Sequence, residues 1–172
     1  GIPKIEEFNQ GDNFGNAYFQ MNQKSGKRWS AVRAFLDPIR SRKNLTILTE
    51  ATVERVKLET TNDGVYARGV IVKEKGKTRP IEADIEVILS AGAVASPQLL
   101  QVSGVGPPDL LSSFAIKPLV NSPGVGKNLQ DHLQIRTIYE VKNTTTLNQK
   151  AGSLWGKAMM GLEYFMFKTG PL

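Results

Sequence analysis

Glu86-Val87-Ile88-Leu89-Ser90-Ala91-Gly92-Ala93-Val94-Ala95-Ser96-Pro97-Gln98-Leu99-Leu100-Gln101-Val102-Ser103-Gly104-Val105-Gly106 is the stretch on which the fold turns. Its run Val87-Ile88-Leu89 is short and continuously apolar, which suits a strand buried on both faces of a parallel sheet. Small residues follow, and Ala91, Gly92 and Ala93 let a backbone or a ligand approach closely. Ser96-Pro97 reads as a helix start, hydroxyl at the N-cap and proline at the first helical position, and the helix is expected to run through Leu99-Leu100 and stop at Ser103-Gly104. A strand, a tight turn and a helix N-terminus form the geometry that α/β proteins use to hold nucleotide phosphates and ribose. A strand-turn-helix packed for its own sake gives the same pattern.

The string Gly92-Ala93-x-x-Ser96-Pro97-x-Leu99-Leu100-x-x-Ser103-Gly104-Val105-Gly106 resembles the second signature of the glucose-methanol-choline oxidoreductases, FAD enzymes that oxidise alcohols. Other stretches agree in order: Glu7-Phe8-Asn9, Gly26-x-Arg28-x-Ser30-Ala31, Asn44-Leu45-Thr46-Ile47 and Gly124-Val125-Gly126-x-Asn128-Leu129-Gln130-Asp131-His132. Within the family the likeness points to the choline dehydrogenases and their alcohol-dehydrogenase relatives. It covers nearly the whole chain, but such enzymes are several times longer, so it implies an internal fragment.

The resemblance implies a fold and a chemistry. The fold expected is α+β, an internal part of an FAD-binding α/β domain over residues 1–131, with an antiparallel substrate-binding domain beginning over 132–172. The cofactor implied is FAD, with Val53 presenting its backbone to the adenine and Ala91, Gly92 and Ala93 on the adenosine side; in the isolated chain its binding is expected to be weak or absent. Strand register alone also explains a valine at position 53. The reaction implied is hydride transfer from a CH–OH group to the flavin. Its substrate is a small alcohol, with choline as one candidate and an aliphatic alcohol or polyol as another, and the acceptor is oxygen or a quinone. A cytoplasmic location, or one peripheral to the inner membrane, goes with it. The competing expectation is a non-catalytic module that binds a nucleotide or a protein.

Composition is compatible with this and excludes other classes. The chain has 172 residues, 40% of them hydrophobic and 22% charged, ordinary values for one globular domain with a core. Without cysteine there is neither a disulfide framework nor a thiolate site, and with a single histidine no metal cluster is expected. A charge of +6 raises nucleic acid as a partner, but acidic residues stand among many of the cations and no aromatic-interleaved motif accompanies them, so solvated faces explain the charge and no nucleic acid is expected. The apolar stretch 151–167 contains Lys157 and Glu163 and falls short of a membrane span.

In chain order, residues 1–27 are rich in Gly, Asn and Gln and read as irregular; Asn9 and Gln20 either satisfy loop backbone or stand behind the cofactor site. Ser30 is an N-cap candidate for a helix through Val32, Phe35 and Leu36 that Pro38 kinks or restarts. Residues 45–49, 52–58, 66–73 and 78–85 read as strands, the last three forming an antiparallel meander with turns at Asn62-Asp63-Gly64 and around Gly76. Pro107-Pro108-Asp109 opens a short helix, 118–120 reads as a short strand, and 133–141 alternates like a strand of an antiparallel sheet. Residues 144–150 read as a polar loop. Leu154, Ala158, Gly161, Leu162 and Phe165 share one face of a final core-facing or interdomain helix.

Several apparent motifs carry no weight. Residues 104–109 and 124–129 begin like a dinucleotide fingerprint but lack its last glycine, and Gly76-Lys77-Thr78 lacks the first glycine of a phosphate loop. His132 is the only imidazole and the natural base for removing a hydroxyl proton. The resemblance puts the catalytic histidine in a separate motif beyond Leu172 and gives His132 a packing and hydrogen-bonding role, so no catalytic residue is expected in this chain. No G-x-S-x-G elbow surrounds any serine, which removes a Ser96-Asp131-His132 triad.

Overall fold

The computed structural model describes residues 1–9 and 11–170. In chain order its elements are β1 (Gln23–Lys24), β2 (Lys27–Arg28), β3 (Ala51–Thr61), β4 (Gly64–Glu74), β5 (Lys77–Glu82), α1 (Gly92–Val102), β6 (Val105–Gly106), α2 (Pro108–Ser113), β7 (Val120–Asn121), α3 (Leu147–Ala151) and α4 (Leu154–Phe167). The chain divides into two units, one built from the described residues of Gly1–Thr46 and Arg136–Leu172, the other from Ile47–Ile135. The mixed α and β architecture expected from the sequence is the one observed.

The second unit is organised by the meander. β3, β4 and β5 pair antiparallel in that order, so β4 is central. The turn residues explain the hairpins: Lys75 and Gly76 both take positive φ, 49° and 78°, as a two-residue turn matched to strand twist demands. Alternation places Val56 and Val72 inside at 6% and 2% exposure. α1 packs against β3, and beyond it β6 and β7 pair in parallel through Val105 and Val120. Leu111 of α2, at 1% exposure, is its most deeply buried large side chain.

Three expected strands do not form and others change their limits, 78–85 ending at Glu82. Residues 87–89 are irregular and unpaired, and Ile88 is 75% exposed. Residues 45–49 are irregular, and 133–141 are irregular with every side chain exposed. A strand exists through its ladder, and no strand among the described residues lies beside these three segments. The short strand expected at 118–120 forms at Val120–Asn121, where β6 supplies its partner.

The helix expected to start at Pro97 begins five residues earlier, at Gly92, so Pro97 lies inside α1. The reason is Ser96, whose Oγ accepts the Ala91 N–H at 3.0 Å and closes the preceding turn. Its end falls where expected, with Ser103 at the C-cap and Gly104 at φ +91°.

In the first unit, residues 1–9 and 11–22 are irregular apart from one bridge between Lys4 and Asn16. The helical turn after Ser30 is wound as a π-turn, Val32–Leu36, followed by a 3₁₀ turn, Asp37–Ile39; Pro38 has no N–H with which to continue a longer helix. The expected loop at 144–150 contains α3, started by a capping box in which Thr146 Oγ accepts from Gln149 N and Gln149 Oε1 accepts from Thr146 N. α4 forms as expected, but its inward side carries Gly156, Met160 and Tyr164, and Leu154, Leu162 and Phe165 face outward at 86%, 53% and 75% exposure. The Tyr164 hydroxyl fixes that rotation by donating to the Gly26 carbonyl at 2.9 Å. No helix among the described residues is long and apolar enough to cross a membrane.

Candidate functional site

An apolar cavity of about 850 Å³ opens in the second unit between the meander and α1. One wall is the start of β3 with Val53 and Glu54, joined by Val70 and Ile81 of the neighbouring strands; the other is the irregular segment 86–91 and the α1 residues Ala95, Gln98, Leu99 and Val102. β3 is an edge strand, so one side of it carries backbone groups that no strand takes. Its ladder skips Glu54: Val53 opposes Val72 and Arg55 opposes Ile71. Such a bulge bends the strand and re-aims the residues beside it, here at the point where Val53, 39% exposed, enters the cavity wall.

The other sequence-derived residues stand at the head of α1. Ala91 lines the cavity. Gly92 follows at φ +91°, where L side chains are strained, and a Cβ there would meet nothing within 4 Å, so that side of the turn is open. Ala93 lines a different groove, with Gln101 and Gly126. No side chain caps the helix, and the N–H groups of its first turn have no intrahelical acceptor. Thus Val53 and Ala91 share one cavity, Gly92 adjoins it, and Ala93 turns away.

These groups fit the nucleoside end of a dinucleotide. Aliphatic side chains suit the faces of a flat base, an edge strand offers backbone donors and acceptors to its rim, and an uncapped helix start tolerates a polar oxygen. No lysine or arginine is among the lining residues, so the charge of a diphosphate is not met here. The carboxylates at the wall are exposed, and Glu82 is held by Lys57 at 2.6 Å.

Other sequence candidates lie elsewhere. Asn9 and Gln20 bond each other at 3.4 Å on an exposed loop, and Gln20 donates to Glu7. His132 is exposed, its backbone N–H donating to Asp131 Oδ1 at 2.9 Å, without a packed environment in this structure. Sequence reasoning missed Ser103, which is 8% exposed and whose Oγ accepts the Val56 N–H at 2.8 Å and donates to the Leu99 carbonyl at 2.6 Å. Only its place before a helix-ending glycine hinted at a fixed position.

The family model described as GMC oxidoreductase matches residues 1–134. An oxygen-dependent choline dehydrogenase of Proteus mirabilis is 40% identical over 174 residues, which is 99% of this chain and 30% of the relative. Among solved structures, pyridoxine 4-oxidase from Mesorbium loti superposes with a TM-score of 0.68 at 40% identity, over 77% of this chain and 25% of that one. An FAD-dependent oxidoreductase from Chaetomium thermophilum gives 0.73 at 27% identity, over 86% and 25%. The chain therefore spans about 30% of the length of the curated relative it matches. With the family model matching residues 1–134, the chain belongs to the GMC oxidoreductase family.

Proposed function

We propose that this chain is the middle of a flavin-dependent enzyme that oxidises the CH–OH group of a small alcohol. The observation that carries the reading is the 40% identity to an oxygen-dependent choline dehydrogenase along 99% of the chain. The cavity that unites Val53 with Ala91 supports it. FAD, when bound, supplies the hydride acceptor. The chain's own part is to hold the adenosine end: the β3 edge at Val53 meets the base, Val70, Ile81 and Leu99 cover its faces and exclude water, and Ala91 and Gly92 bring backbone close to the sugar. Ala93 belongs to the same turn and acts by shaping it.

Choline is the substrate favoured by the relative's name, with other small alcohols as the alternative. In this reading residues 1–131 belong to the FAD-binding domain, a division supported by the end of the family match at residue 134, and residues 132–172 begin the substrate domain. A cytoplasmic location, or one peripheral to the inner membrane, accompanies it. The glycine fingerprint for the diphosphate and the catalytic base belong to other parts of the enzyme.

Expression of the whole reading frame around this chain tests the proposal. The expected product is yellow with flavin and reduces an electron-accepting dye when choline is added. A product without flavin overturns it. The isolated chain is expected to reduce no dye with any alcohol and to lose FAD on gel filtration, because the cavity offers no cation to the diphosphate.

A further inference from the structure

Ser103 follows directly on Val102, the last α1 residue of the cavity wall, and stands where α1 meets β3. We infer that it is a positioning residue for the nucleoside site, an inference that rests on the FAD reading above. Its hydroxyl makes two bonds at once, accepting the Val56 N–H at 2.8 Å and donating to the Leu99 carbonyl at 2.6 Å. The first crosses 47 positions of sequence and is, among the described residues, the one side-chain hydrogen bond between the meander and the α1 segment. The second locks the hydroxyl to the last turn of the helix, so the acceptor cannot rotate away from the strand.

The geometry turns this bond into a setting for the whole cavity. Val56 lies three residues along β3 from Val53, and Ser103 caps the helix whose other end carries Ala91 and Gly92. A helix is a stiff rod rising about 1.5 Å per residue, so the twelve steps from Ser103 to Ala91 form a lever of roughly 18 Å. A small shift at the pinned end becomes a larger one at the mouth. Leu99 and Val102 do pack toward the sheet, but apolar contacts slide, and a buried hydrogen bond does not. Ser103 thus fixes how far the Val53 wall stands from the Ala91 wall.

The test uses the protein from the whole reading frame, with Ser103→Ala and Ser103→Thr beside the parent. FAD is removed and titrated back with flavin fluorescence as readout, at a temperature where circular dichroism shows every variant folded. Ser103→Ala is expected to weaken FAD at least ten-fold while keeping the parent turnover once saturated; Ser103→Thr, which keeps the hydroxyl, restores affinity to within about three-fold. An alanine variant with parental FAD affinity overturns the inference. Should Ser103→Ala fail to fold, amide hydrogen exchange in the unaltered protein decides: exchange at Val56 and Val53 slowed together by added FAD supports the inference, and exchange at Val56 indifferent to FAD overturns it. A parent protein without flavin instead overturns the functional reading, so the two failures are distinct.

Discussion

Gly69 of β4 lies so close to β5 that a Cβ placed on it would stand 2.0 Å from the carbonyl oxygen of Ile81. Its φ of +145° is also one that L side chains rarely adopt. Backbone cannot withdraw from backbone within a ladder, so Gly69→Ala must distort the sheet at the strand that joins both edges. The expected cost is about 2–4 kcal/mol, read as a lower urea midpoint for the chain. An unchanged midpoint contradicts the assigned register.

Tyr164 is held to the Gly26 carbonyl at 2.9 Å, a bond spanning 138 positions. Removing the hydroxyl in Tyr164→Phe leaves a part-buried carbonyl without that donor and is expected to cost about 1 kcal/mol. Gly26→Ala should cost more, because its Cβ would meet the Lys168 carbonyl at 2.2 Å. Thermal melts of the two variants give the ranking; equal melts refute it.

The capping box at Thr146 predicts a local effect. Thr146→Ala removes the acceptor for Gln149 N and is expected to destabilise α3 by about 1 kcal/mol. Amide exchange should quicken over residues 147–151 and stay unchanged in β3 to β5. Uniform quickening along the chain would show that the box supports more than its own helix.

Lys57 and Glu82 approach to 2.6 Å across the meander, but their side chains are 43% and 55% exposed. Solvent screens such a pair, so Lys57→Met is expected to change stability by less than about 1 kcal/mol. A larger loss in a denaturant titration would mean that the pair is less hydrated than its exposure indicates.

Self-association is expected of the isolated chain. Ile85 and Ile88 are 94% and 75% exposed on an irregular, unpaired segment, and such a segment offers both apolar surface and free backbone groups to a second copy. Light scattering should show a mass that rises with concentration, and Ile88→Lys should reduce it. A monomer throughout the range speaks against pairing at this edge.

Much of the fold was legible because it depends on neighbours in sequence. The alternation of 52–58 and the turns at Asn62-Asp63-Gly64 and Gly76 specify the meander through pleat and backbone dihedrals alone. Gly104 ends α1 and Pro108 starts α2 for equally local reasons. The family signature likewise marked the α1 turn and, through it, Ala91 and Gly92 as candidates. What remained hidden depends on contacts distant in sequence. The apolar runs 87–89 and 133–141 have the composition of strands, but only a partner makes a ladder, and none lies beside them among the described residues. The start of α1 moved because Ser96 reaches back to Ala91 rather than capping forward. The bulge at Glu54 and the bond from Val56 to Ser103 arise only once strand and helix are packed, since each expresses a register between segments that composition leaves free. Sequence alone therefore determined the family, the meander and the residues of the turn; the tertiary structure decided that Val53 and Ala91 face one cavity and Ala93 another, because side-chain direction at a bulge and at a helix start is set by packing.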